Sequence, residues 1–316
     1  MGRLIYGTAW KKEQTDKLVY CALKEGFRAV STASQPSNYE EALVALGVRR
    51  AIDADVVSRR DVSIQTTFTP AHDQAIKKVV KTNRTGAHHQ GWPCPPRAST
   101  PSDCPYDPAT SLAEQVRSSL ATSLKHFTFT PSGPDDVYLD AVILHTPYPD
   151  RKHTEEVWTA LSAYVPRRVR RLGISNVTDE ELQHLIDFCR ANPAAAARPT
   201  IVQNRFRDSD KDAFNSTVRQ MCRENGIEYQ AFGVLRTKAL LQDQQSVGAV
   251  VGLANVSREA ALYALVMALQ DDMAVLDGTS DPQTMAADIN DVRMITGYVD
   301  SPEWKRALDS FKGGVQ

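Results

Sequence analysis

The sequence predicts an α/β protein built as a single (β/α)8 barrel, and three observations lead there. Eight short apolar runs have the length and composition of buried strands. Amphipathic helical patterns separate nearly all of them, and 316 residues fall within the range of one such barrel. An open, doubly wound sheet is the alternative, but no GxGxxG opens any helix.

The elements follow in order. The candidate strands are Leu4–Tyr6, Phe27–Ser31, Val62–Thr66, Ala141–Leu144, Val169–Ile174, Thr200–Gln203, Glu228–Phe232 and Ala274–Leu276. The helical patterns include "TDKLVYCALKEG", "SLAEQVRSSLATSLKHF", "TEEVWTALSAYV", "TDEELQHLIDFCRAN" and "DAFNSTVRQMCRENG". Thr178 with Glu181 has capping-box spacing, and Gly26 and Gly226 stand where helices should end. The basic "VPRRVRR" leads into "LGIS" and reads as a solvated helix end and strand entry. The chain is expected to be one domain over residues 1–316. A Pro-, Ser-, Thr- and His-rich insertion interrupts it at about 69–110. A loop of that length is unusual in a compact domain. It follows the third strand, so it is expected on the face where barrel loops gather, as a flap or as a simple insertion.

Composition narrows the function. Hydrophobic residues make up 42% and charged residues 24%, enough for a sizeable core. A net charge of −1 disfavours nucleic-acid binding through a broad basic surface. No run reaches the length of a membrane span, and "MGRLIYGTAW" lacks the features of a signal peptide. Five cysteines without a CxxC fit a reducing compartment, so a cytoplasmic location is expected. Cys94 and Cys104 flank a Pro-rich stretch but are read as free. His72, Asp73, His88 and His89 have no fixed ligand spacing, so no metal site is expected. His72 is close in sequence to the end of the third strand and could return a titrating group to the barrel mouth.

In order and at barrel spacing, the chain resembles the aldo-keto reductases, best in their fungal branch. The segments that carry the likeness are "GTAW", "STASQPSNYEEALVALG", "SIQTTF", "YLDAVILHTP", "RLGISN", "IVQNRF", "AFGVL" and "VLDGTSDPQTMAADI". The resemblance implies an NADP- or NAD-dependent oxidoreductase acting on a small molecule. That family uses a tetrad of Asp, Tyr, Lys and His. The tyrosine and histidine match Tyr39 and His145, while Ser31 stands for the aspartate and Thr67 for the lysine. The tetrad is therefore degraded: both charged members are replaced by hydroxyls.

The consequence is physical. Hydride reduction of a carbonyl builds negative charge on oxygen, and an acid must meet it. A free phenol has a pKa near 10, and the missing ammonium would have lowered it. Tyr39 and His145 are expected to face the substrate oxygen as a hydrogen-bonding pair. The resemblance also implies a nicotinamide grip from Ser175, Asn176 and Gln203, with Phe232 stacking in place of the usual tyrosine. Thr8, Gly278, Thr279, Ser280 and Asp288 match the rest of the cofactor cleft. A family Lys-Ser pair and a later Arg hold the 2′-phosphate of NADP; here those positions read Gly278, Thr279 and Thr284. This uncharged loop predicts weaker NADP binding or a preference for NAD. Backbone amides of residues 278–280 could still meet a pyrophosphate oxygen, although Ser280 and Asp281 before Pro282 also make an ordinary helix start.

Three functions are compatible with these residues. The leading one is carbonyl or conjugated-compound reduction with a non-standard site. The second is redox-neutral dehydration, isomerisation or cyclisation in fungal secondary metabolism. The third is a non-catalytic pseudoenzyme that binds a nucleotide.

Overall fold

The computed structural model describes residues 2–74, 104–129, 137–208 and 212–315. Eight parallel strands close into a barrel in sequence order. They are β1 (Arg3–Gly7), β2 (Ala29–Ser31), β3 (Ser63–Phe68), β4 (Leu139–Leu144), β5 (Val169–Ser175), β6 (Ile201–Arg205), β7 (Glu228–Phe232) and β8 (Met273–Asp277). β1 closes the ring on β8, with Ile5 opposite Leu276 and Tyr6 opposite Asp277. The predicted (β/α)8 barrel is the observed fold.

Around the barrel run α1 (Thr15–Lys24), α2 (Glu41–Asp53), α3 (Leu112–His126), α4 (Arg151–Ser162), α5 (Asp179–Ala191) and α6 (Ser216–Asn225). The short α7 (Lys238–Gln242) and α8 (Ala249–Ala254) precede α9 (Arg258–Met267), α10 (Pro282–Thr296) and α11 (Pro302–Gly314). Every residue of α9 from Ala260 to Met267 is buried, which explains its apolar circumference. No single helix among the described residues is long and apolar enough to cross a membrane.

Local signals explain several boundaries. Thr178 and Glu181 form the reciprocal capping box that opens α5. Gly226 ends α6 at φ +60°, where a side chain would be strained. Phe27 does not begin β2 as expected. Its amide donates to the carbonyl of Ala22, so it completes the turn that ends α1, and the strand starts at Ala29.

Alternation along each strand sorts side chains between two cores. Leu4, Tyr6, Val30, Ile64, Val142 and Leu172 join the layer between barrel and helices. Inside the barrel, Ile5, Ala29 and Ala274 form one small cluster, and Ala141, Ile143 and Ile201 another. A Cβ on Gly173 would come within 2.8 Å of the Ile201 Cβ, so glycine makes room for that contact. Burying each large aliphatic or aromatic side chain contributes about 1.5–3 kcal/mol, and most of that lies in the outer layer.

The floor of the barrel is ionic. Arg3 and Arg171 both bind the Glu228 carboxylate, at 2.8 and 2.6 Å. Burial alone would raise the Glu228 pKa, but the two guanidinium groups hold it below the ordinary value. The basic run at the start of β5 is therefore not wholly solvated, because Arg171 turns inward. Arg170 instead lies over the Tyr138 ring and pairs with Asp140.

Candidate active site at the barrel mouth

The same alternation places Ser31, Thr67, Ser175, Gln203 and Phe232 on the inner face at the C-terminal ends of their strands. His145 follows β4 directly, its amide bonded to the Phe68 carbonyl at 2.9 Å. Asn176 follows β5 in a left-handed conformation that asparagine tolerates, at φ +54°. Its amide donates to the His145 carbonyl at 2.9 Å, which joins the ends of β4 and β5. The Ser175 hydroxyl donates to the Gln203 carbonyl at 2.6 Å.

Beneath these residues lies a buried amide network whose direction is set from the floor. Anionic Glu228 can only accept, so the Gln230 Nε2 donates to it at 2.9 Å. Gln230 must then present Oε1 to its other neighbours. It accepts from Gln65 Nε2 at 2.8 Å and from Gln203 Nε2 at 2.9 Å. Gln230 also donates to Gln65 Oε1 at 3.0 Å. Gln65 donates to the Ser31 hydroxyl oxygen at 3.1 Å. With its nitrogen committed downward, Gln203 is left with an open Oε1. Asn176, committed to the His145 carbonyl, is left with an open Oδ1. Neither oxygen has a partner among the described residues.

No hydrogen bond joins Tyr39 and His145 to each other among the described residues. The Tyr39 phenol has no hydrogen-bond partner among the described residues, and burial pushes its pKa up to about 12. His145 has a different neighbour. Its Nδ1 lies 3.6 Å from Oδ2 of Asp73, which the loop after β3 carries back to the mouth. Burial lowers the His145 pKa, the Asp73 charge opposes that, and His72 adds to the lowering. His72, the group expected to return, does act on the imidazole, but Asp73 is the residue that stands beside its Nδ1. The His72 ring meets Tyr148 edge-on at 5.0 Å.

A set of hydrogen bonds builds this turn. Gln35 Nε2 donates to the Asp73 carbonyl at 2.8 Å, and the Gln35 carbonyl accepts from the Tyr39 amide at 3.0 Å. Gln74 Nε2 holds the carbonyls of Ser34 and Thr69. The loop after β2 and the loop after β3 are thus stitched together. Of the insertion at about 69–110, residues 75–103 lie outside the described residues, and with them His88, His89 and Cys94. Cys104 is free.

At the other end of the cleft the expected uncharged loop holds a cation. Lys11, on the loop after β1, is buried, and its ammonium donates to the carbonyls of Gly278 and Thr279 and to Ser280 Oγ at 2.7 Å. The Thr279 amide donates to Asp277 at 2.9 Å, and the Asp281 carboxylate caps the first amides of α10. These amides are therefore less open to a phosphate than the sequence suggested. Thr8 spends its hydroxyl on the Ser31 carbonyl at 2.9 Å. Asp288 is buried against Asp277; burial and that neighbouring charge push its pKa to about 8.

Along nearly its whole length the chain matches one family: the model described as "Aldo/keto reductase family" aligns with residues 3–291. The chain belongs to the aldo/keto reductase family. Its members are nicotinamide-dependent oxidoreductases that act on small molecules. Solved aldo-keto reductases share the barrel. An aldose reductase from Giardia lamblia superposes with a TM-score of 0.67 at 17% identity, covering 100% of this chain and 93% of its own. The aldo-keto reductase MGS-M4, from a Medee basin deep-sea metagenome library, gives 0.63 at 17% identity, with 94% and 91% coverage. No curated protein sequence matches this aldo/keto reductase.

Sequence reasoning missed Lys11, Gln65, Gln230 and Asp73 as members of the site. Gln65 and Gln230 carried a signal, because each interrupts an apolar strand at an inward position. Lys11 and Asp73 carried none, because loops bring them to their partners from elsewhere in the chain.

Proposed function

We propose that this chain is a nicotinamide-dependent oxidoreductase for a carbonyl or conjugated small molecule, working with a non-standard proton-transfer site. One observation carries the reading: Asn176 Oδ1 and Gln203 Oε1 stand open at adjacent strand ends. Two acceptors so placed suit the two N–H groups of a carboxamide. Ser175, Asn176, Gln203 and Phe232 would hold a nicotinamide there, and the bound group would supply hydride. Lys11 gives the anionic end of a dinucleotide a cation despite the absence of Lys-Ser after β8. It supports binding of NADP as well as NAD. Asp288, paired with Asp277, is better read as structural than as a cofactor ligand.

At the reacting end, Ser31 and Thr67 supply no charge, so nothing pulls the Tyr39 phenol toward neutral pH. Trp10 is 60% exposed on the loop after β1 and tied to Asn38 beside Tyr39, which suits a wall of the substrate pocket. The test is binding of NADPH and NADH by fluorescence quenching, followed by a screen of aldehydes and quinones for loss of the reduced-nicotinamide absorbance. Binding with turnover of at least one compound is expected; no binding of either nucleotide sinks the reading. Redox-neutral proton transfer is a second reading, favoured by the His145–Asp73 contact, and it requires turnover without nucleotide oxidation.

A further inference from the structure

The three charge-bearing candidates at the mouth of the barrel are the Tyr39 phenol, the His145 imidazole and the Asp73 carboxylate, and their surroundings separate them. His145 Nδ1 is buried and has no hydrogen-bond partner among the described residues, which leaves its hydrogen-bonding capacity unspent. Asp73 Oδ2 lies 3.6 Å away, and contacts of this length in an unliganded site can tighten to hydrogen bonds when substrate is present. The carboxylate is not there by accident of a loose loop. Its own carbonyl is fastened by Gln35, and the amides of Asp73 and Gln74 both return to the Pro70 carbonyl. The charged or titrating groups that act on the imidazole are Asp73 and His72, both from the loop after β3, while the Asn176 side-chain amide is spent on the His145 backbone carbonyl. Among the described residues, Asp73 is the anion that acts on the imidazole.

We propose that His145, oriented by Asp73, is the proton-transfer group of this site, in place of the tyrosine on which the tetrad normally relies. A carboxylate at Nδ1 keeps a proton on that nitrogen and turns Nε2 toward chemistry. With Nε2 protonated, the ring is an acid. The N–H bond breaks with its electron pair staying on nitrogen, and an O–H bond forms on the carbonyl oxygen. A reduced nicotinamide is the hydride donor that completes the balance and is itself oxidised. In the reverse direction neutral Nε2 accepts the proton of the alcohol. His145 is then the catalytic residue and Asp73 a positioning residue. The step with hydride rests on the function proposed above; the His145–Asp73 coupling does not.

The experiment is an NMR titration of the full chain carrying isotope-labelled histidine, without nucleotide, with His145 assigned by its loss in His145→Asn. Above its midpoint His145 is expected as the Nδ1–H tautomer. Asp73→Asn keeps the shape of the side chain and leaves the backbone bond to Gln35 intact. It is expected to lower the His145 midpoint by about 0.5–1 pH unit and to weaken that tautomer preference. Asp73→Glu, which keeps the charge, is expected to restore most of both. An unchanged midpoint and tautomer in folded Asp73→Asn overturns the proposal, as does a midpoint that rises. In turnover, the midpoint of the pH profile is expected to follow His145 in Asp73→Asn and to stay in place in Tyr39→Phe. A profile that moves with Tyr39 and ignores Asp73 also overturns it. Failure to bind any nicotinamide nucleotide would defeat the proposed function while leaving the titration result standing.

Discussion

The Asp73 carboxylate stands 3.6 Å from Nδ1 of His145, although the two belong to loops that follow different strands. Ser31 supplies no anion at the end of β2, and the loop after β3 brings one to His145. The resulting pH dependence has a definite sign. Burial holds the His145 pKa below its ordinary value, and the acid form exists only below that midpoint. Carbonyl reduction should therefore fall as pH rises through the midpoint, and alcohol oxidation should rise. A rate profile measured in both directions checks this; parallel profiles would count against it.

Gln230→Leu should loosen the proposed nicotinamide end through Gln203. Without Gln230 Oε1, Gln203 is free to rotate, and its open oxygen is no longer aimed. Losing one such bond costs about 1 kcal/mol, so affinity for NADH or NADPH should drop several-fold. ADP-ribose, which lacks the ring, should bind unchanged. Calorimetric titration of both ligands separates this outcome from general damage. A stability loss of about 1–3 kcal/mol is also expected, because Gln65 and Glu228 lose a buried partner.

Lys11→Met should do the opposite. With its three donors held by residues 278–280, its proposed pull on the anionic end is one of charge alone, so ADP-ribose and the full nucleotides should weaken together. The loss should be larger for NADPH than for NADH and should shrink as salt is raised. Fluorescence titrations at low and high ionic strength would reveal it. Equal affinity for wild type and variant would remove Lys11 from the cleft's function.

Restoring the charged pair tests what the hydroxyls cost. Ser31→Asp with Thr67→Lys places an ammonium where it can lower the Tyr39 phenol from about 12. Carbonyl reduction should increase by about 10-fold or more, within the ordinary range of acid–base assistance. The pH profile should shift upward as the phenol takes over. Steady-state kinetics with any substrate found in the screen would decide it.

Asp288 predicts a stability effect as pH rises toward about 8. Its folded pKa of about 8 lies above the unfolded value near 3.9, so the folded state holds the extra proton between them. Stability should fall as pH rises across that window, by up to about 1.4 kcal/mol per pH unit. Asp288→Asn mimics the protonated form and should flatten the slope. Thermal melts at about pH 5 and pH 8 measure the difference.

Much of the barrel was legible because its signals are local. Strand runs, helix periodicity, the capping box at Thr178 and the helix-ending Gly226 each depend on a few neighbouring residues. The mouth residues were pointed to by the resemblance to the family, and strand alternation then turns those on the strand ends inward. Phe27 was misplaced because a β-run and the last turn of a helix share its apolar character, and only the bond to Ala22 decides between them. The insertion gave no warning of which residue it would return, because loop geometry is set by its anchors, here Gln35 and Gln74.

Sequence alone determined the closed parallel sheet, the inward hydroxyls at Ser31 and Thr67 and the amide-bearing ends of β5 and β6, since alternation and spacing are properties of the chain. Tertiary structure decided where charge goes. Lys11 docks on residues 278–280, Asp73 reaches His145, and Glu228 aims Gln203 through Gln230. Electrostatic partners act through space over a few ångströms, and distance along the chain says little about them.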